Sequence, residues 1–242
     1  MKLHTFILVS AILLVGLVLR LNNYAVYPQR GASSDEYSYS FLGVSLLTKG
    51  IPETWSNVAG YKNKWNLTIR SLYFPMVNPY FDHPPLNGLL VGGWALLNGQ
   101  DTYEKVQLEV IRLVPIALSV VSSLLLYLLA KRLFDEKTAL WALLIFETVT
   151  IFVMNQRVVF AENLVTPILL RAVYLFIQKG KLTSSRTVSL AILSGLAIWT
   201  KEFGVIVFLS LLYLFISDRV PFRRFVLFAG IFGLFVLAYI GY

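Results

Sequence analysis

Apolar runs of membrane-spanning length, joined by short basic turns, decide most of what this chain can fold into. One run covers residues 5–21, others roughly 112–133, 138–155 and 164–178, and a last one 225–242. Residues 187–218 are also apolar, except for the stretch Thr200-Lys201-Glu202-Phe203-Gly204. A hydrocarbon core about 30 Å thick takes ~20 apolar residues of helix. With 57% hydrophobic residues and only 14% charged, the chain carries more apolar surface than a soluble domain hides. The expected fold is an all-α polytopic membrane protein.

The net charge of +8 is distributed like that of a membrane protein, since the basic residues sit between apolar runs and form no single stripe for nucleic acid. The stretch "VLRLNN" offers no small-residue cleavage site, so the first run reads as a retained anchor with a cytoplasmic N-terminus. Alternating spans then put "KRLFDEK", "KGKLTSSR" and "DRVPFRR" inside. With Lys2 these hold ten Lys/Arg against three acids, as the positive-inside rule requires. Residues 22–111 become one long non-cytoplasmic segment. The run 83–99 is too short for a comfortable span and would invert that balance, so it reads as a helix in or dipping into the outer leaflet. There is no cysteine and there are two histidines, His4 and His83, which exclude disulfides and disfavour a histidine-built zinc site.

Two half-length helices on either side of residues 200–204 predict a broken hairpin, with Lys201 on the floor of an outward-facing cavity. Glu147 and Arg171 fall at matching depth in neighbouring spans and are expected to pair, because unpaired charges there are costly.

On the same face, "SSDEYSYSFLGVSLLTKG" opens with Ser33 and Glu36 at capping-box spacing. Asp35 suits the first turn, and Gly50 ends a helix over residues 34–49 whose apolar side rests on the bilayer surface or on neighbouring helices. "YFDHPPLNG" places Asp82 and His83 before a proline pair that starts a second helix, over residues 84–98. Arg112 opens a span, where snorkelling is the ordinary reading. Arg157 and Glu162 flank the next turn. Asn66-Leu67-Thr68 matches a glycosylation acceptor by pattern alone.

The order of these motifs resembles the N-terminal part of the GT-C glycosyltransferases, in the protein O-mannosyltransferase and aminoarabinose transferase branch. The resemblance rests on "DEYSYSFLGVSLLTKG", "FDHPPLNGLLVGGWALLNG", "VIRLVPIALSVVSSLLLYLLAKRLFDEKTAL" and "LSGLAIWTKEFGVIVF" in that order. It implies a single module over residues 1–242 with about seven transmembrane helices, and juxtamembrane helices in the first outer loop. It also implies inverting sugar transfer from a polyprenyl phosphate on the non-cytoplasmic face. Asp35 is then the candidate base, and Lys201 is expected near the lipid phosphate. Glu36, Asp82, His83, Arg112 and Glu162 are expected to bind substrate. In related oligosaccharyltransferases an acid placed like Glu162 helps bind a divalent metal, but this branch is not expected to need one, so no cofactor is assigned. The implied partners are the prenyl-phosphate sugar, membrane lipids, a protein or glycan acceptor and a second membrane subunit, with no nucleic acid. Family members usually continue into further helices. A non-catalytic scaffold of the same fold, and a lipid or solute transporter, stand as the alternative functions.

Overall fold

A computed structural model describes residues 3–33, 35–69, 71–178 and 180–242. The chain is mostly helical, and the helices fall into a bundle with an elaborated loop at one end. The first helix, α1 (Leu3–Leu21), leads into α2 (Asp35–Lys49), a small sheet and α3 (Leu86–Leu97). The short α4 (Leu108–Ile111) runs almost directly into α5 (Leu113–Leu133), followed by α6 (Glu136–Thr148), α7 (Thr150–Asn155) and α8 (Glu162–Phe176). Last come α9 (Ser184–Thr200), α10 (Val205–Ser217) and α11 (Phe222–Ile240). Among the described residues three helical segments are long and apolar enough to cross a membrane: Leu3–Leu21, Leu108–Leu133 and Phe222–Ile240.

The small sheet departs from the all-helical expectation. Strands β1 (Thr54–Trp55), β2 (Lys64–Ile69) and β3 (Leu72–Val77) form an antiparallel sheet in the order β1-β3-β2. Phe74 and Met76 of β3 turn inward and pack with Tyr37, Phe41 and Tyr103. The sheet thereby covers α2, which is buried continuously from Glu36 to Ser45. Of the two settings open to its apolar side, the bilayer surface or neighbouring elements, the structure shows the second. Its serines explain how: Ser40 and Ser45 return their hydroxyls to helix carbonyls, so full enclosure leaves neither hydroxyl without a bond.

The other side of α2 meets α3 with almost no side chain between them. A Cβ on Gly92 would lie 2.4 Å from the Val44 nitrogen, and one on Gly43 would strike the Gly88 carbonyl oxygen. The two helices therefore cross backbone to backbone, and "GLLVGG" places two of the glycines one turn apart on the contact face.

The broken hairpin is present. Helix α9 has 17 residues and α10 has 13, or about 26 Å and about 20 Å. Between them Lys201 is extended (φ −162°, ψ 149°) before the 3₁₀ turn Glu202–Gly204. A side chain at Gly204 would run into the Ala197 carbonyl oxygen, so only glycine lets α10 fold back against α9. Phe215 at the far end of α10 lies beside Phe176 of α8 and Phe228 of α11. At the opposite end Trp199 of α9 donates its indole N–H to the Phe235 carbonyl of α11 at 2.9 Å. Helices α8 and α10 thus run one way, α9 and α11 the other. The basic turns between α5 and α6, α8 and α9, and α10 and α11 gather at one end of the bundle. Lys201 and the first loop occupy the other.

The expected Glu147–Arg171 pair does not form. Glu147 is buried and pairs with Arg20 of α1, whose guanidinium is also buried, while Arg171 is exposed. Helix α6 packs against α1, so the buried cation that meets Glu147 comes from the first helix.

The glycine crossing gives a direct test by thermal unfolding in detergent. Gly92→Leu is expected to lose ~1–3 kcal/mol or more from forced separation of the helices. Gly93→Leu is expected to be tolerated, because its Cβ meets only Leu47 at 3.6 Å. Equal unfolding temperatures for the two variants would contradict the backbone crossing.

Candidate active site

At the loop end of the bundle a cavity of about 470 Å³ is lined by Asp35, Asn155, Gln156, Glu162, Asn163 and Lys201, with Phe146, Phe152 and Phe160 among its apolar walls. Four segments build it: the first turn of α2, the α6–α7 stretch, the start of α8 and the hairpin tip. Lys201 donates from Nζ to Glu162 Oε1 at 2.6 Å, with the lysine side chain 23% exposed and the glutamate 47%. The pair is therefore reachable from the cavity, and an anionic ligand can compete for the ammonium. Asp35 is partly exposed and has no ion-pair or hydrogen-bond partner among the described residues.

Asp35 and Glu36 are neighbours with opposite fates. The Glu36 carboxylate is fully buried and receives two parallel hydrogen bonds from Arg112, Nε to Oε1 and Nη2 to Oε2, both at 2.8 Å. Arg112 also donates from Nη1 to the Tyr24 carbonyl at 2.7 Å, and the Val159 backbone N–H leans on Glu36 at 3.4 Å. Such a bidentate fork is the strongest pairing the two side chains can make. Both are enclosed, and the pair holds the first turn of α2, with Asp35 on it, against α5 and the α7–α8 turn. The cap residue of α2 would be Ser34, which lies outside the described residues. Glu36 is committed to Arg112 rather than to a capping box.

Asp82 and His83 do not line this cavity. Asp82 accepts from Tyr61 at 2.7 Å and from Ser56, which ties the sheet's flanking loops together. Burial and that bond to Asp82 push the Tyr61 phenol up to about 12. His83 stacks on Tyr39 with ring centres 5.7 Å apart, and its Nδ1 lies 3.7 Å from Glu202, too far for a hydrogen bond. Because Lys201 is extended, consecutive side chains point apart: Lys201 reaches Glu162 and Glu202 faces His83.

The sequence motifs did not point to Tyr39, which stands one helical turn after Asp35. It is almost completely buried, and its hydroxyl has no hydrogen-bond partner among the described residues. Burial raises its pKa, and the nearby charges of Asp35, Glu162 and Glu202 add to the effect. The i, i+4 spacing from Asp35 was the available signal; its aromatic character made it look like core. Arg157, read as a flanking residue, is buried and donates to the Leu19 carbonyl. Among the described residues no group of three or more metal-ligating side chains is assembled.

A second hollow, about 780 Å³ and almost wholly apolar, lies between α1, α3 and α5, with Leu17, Trp94, Leu97 and Leu113 among its walls. It shares no lining residue with the polar cavity.

Against this geometry, the sequence profile of the dolichyl-phosphate-mannose-protein mannosyltransferase family matches residues 82–241, well over half of the chain. The chain belongs to this family. It is of the GT-C type, which points to a membrane glycosyltransferase. The match contains Glu162 and Lys201 of the cavity, whereas Asp35 and Glu36 precede it. No curated protein and no solved structure matches the chain.

The division of labour between the two acids is measurable. Glu36→Ala, which strands a buried Arg112, is expected to cost ~3–5 kcal/mol of stability. Asp35→Asn is expected to stay within ~0.5 kcal/mol of the parent. Detergent unfolding of both variants checks it, and similar losses would contradict the assignment.

Proposed function

We propose that the chain is a glycosyltransferase, or the catalytic part of one, that moves a sugar from a polyprenyl phosphate to an acceptor hydroxyl with inversion. The observation that carries this is the single cavity in which Asp35, Glu162 and Lys201 meet. An unpaired carboxylate and an approachable ammonium in one recess are the two groups that an inverting displacement needs.

In the proposed step Asp35 takes the proton of the acceptor hydroxyl as its oxygen attacks the anomeric carbon. The bond from that carbon to the phosphate oxygen breaks on the opposite face, and both bonding electrons leave with the phosphate. Lys201 meets the growing charge on the phosphate, exchanging part of its contact with Glu162 for it. A donor that fills the recess would displace water from it, which strengthens that interaction. Tyr39 stays protonated behind Asp35 and adds no charge that would compete with it.

For topology, we read the chain as about seven spans, with the hairpin α9–α10 counted as two. The end that gathers the basic turns faces the cytoplasm by the positive-inside rule, and the cavity opens on the other side. Helix α3, about 18 Å long, lies at that surface with Leu90, Trp94 and Leu97 exposed, and the apolar hollow beside it has the character a prenyl chain requires. The family's name supplies mannose as the first sugar to test and a protein hydroxyl as the first acceptor.

The test is transfer of labelled mannose from polyprenyl-phosphate mannose by purified protein in liposomes. Asp35→Asn is expected to lose ~10²–10⁴-fold in rate, and Lys201→Met ~10²–10³-fold. Undiminished transfer by a folded Asp35→Asn variant would overturn the catalytic assignment and favour a scaffold with a separate active partner.

A further inference from the structure

Three carboxamides line the cavity, and the protein dictates which end two of them present to a ligand. Gln156, 7% exposed, accepts at Oε1 from Arg20 Nε at 2.8 Å and also from Arg20 Nη2. A guanidinium only donates, so the amide oxygen must face Arg20 and the amide nitrogen must face away. Arg20 cannot swing aside, because it is fully buried and paired with Glu147. The Gln156 Nε2 group has no partner among the described residues and is not among the enclosed orphan atoms. It is a fixed donor on the cavity side.

Asn163 is locked in the opposite sense. Its Nδ2 donates both hydrogens to backbone carbonyls, of Asn155 at 3.0 Å and Val158 at 2.9 Å. Carbonyls only accept, so its Oδ1 is left over as an acceptor, again without a partner among the described residues. A donor of one residue and an acceptor of another, each held by bonds on its far side, meet the needs of a hydroxyl group, which both accepts and donates. A phosphate would use only the first and an ammonium only the second. Phe146, Phe152 and Phe160 supply apolar wall in the same cavity, the surface a pyranose face packs on.

We propose that Gln156 and Asn163 form the subsite that reads hydroxyl groups of the transferred sugar, a neutral hydroxylated ring, and that Arg20 and Glu147 are positioning residues that hold Gln156 in its donor orientation. This rests on the reading of the cavity as the glycosyl-transfer site. It also gives the buried Arg20–Glu147 pair a purpose: the pair is neutral overall, so it orients Gln156 without adding net charge near the leaving phosphate.

Gln156→Glu is the informative variant, because a carboxylate still accepts from Arg20 while the cavity side changes from donor to acceptor. Transfer would be measured for wild type and variant with polyprenyl-phosphate mannose and its 2-, 3-, 4- and 6-deoxy analogues. The expected result is a ~10–100-fold fall in kcat/KM for wild type on at least one analogue. Gln156→Glu should show a similar fall on the parent sugar and little further fall on that same analogue, with unfolding unchanged. If the added charge prevents folding, Gln156→Leu enters the same cycle, where only the ratio between sugars is read. Equal losses across parent and all analogues, or wild-type kinetics in the variant, overturn the subsite while leaving the transferase reading in place. No transfer by wild type from any of the sugars overturns both.

Discussion

The arrangement at the loop end depends on one buried contact, the fork between Glu36 and Arg112. It joins elements far apart in sequence: the first turn of α2, the junction of α4 and α5, the Tyr24 carbonyl after α1 and the Val159 amide before α8. Burying two charges is unfavourable unless their hydrogen-bonding capacity is filled, and replacing both by apolar groups often leaves stability no worse. What the pair contributes is therefore better described as position than as net stability. With Glu36 fixed, the next residue back along the helix, Asp35, has little freedom left and stands at the cavity wall.

A second buried pair, Arg20 with Glu147, performs a similar task on the far wall. With both pairs enclosed, the ionisable groups that line the cavity are Asp35, Glu162 and Lys201. That sorting separates the ionisable residues of this end into those that build and those that face a ligand. Asp82 and His83 stand outside this cavity: Asp82 accepts from Tyr61 and Ser56, and His83 stacks on Tyr39.

Much of the helical framework was legible because length and apolarity act locally. The hairpin break at Lys201 and the terminating Gly50 follow from a few adjacent residues, and both stand where expected. The sheet was not legible: β2 (KWNLTI) and β3 (LYFPMV) are short, one is mostly exposed, and β3 contains a proline, so periodicity was too weak to mark them. Partner choice was also hidden. The sequence showed that Glu147 needed a cation, but only the packing of α6 on α1 selects Arg20 over Arg171. The same limit applied to Glu36, whose capping spacing was real in the sequence while its partner lay 76 residues away.

The proposed transfer requires Lys201 to receive the phosphate of a prenyl-phosphate donor inside the cavity that Asp35 lines. A cryo-electron microscopy map of the protein in nanodiscs with bound polyprenyl phosphate tests it most directly. The expected result is phosphate density within ~4 Å of the Lys201 ammonium, on the cavity side of Glu162, with the prenyl chain leading out to the membrane. Phosphate density elsewhere, with the Lys201–Glu162 contact intact and the Asp35 cavity holding only water, would contradict it.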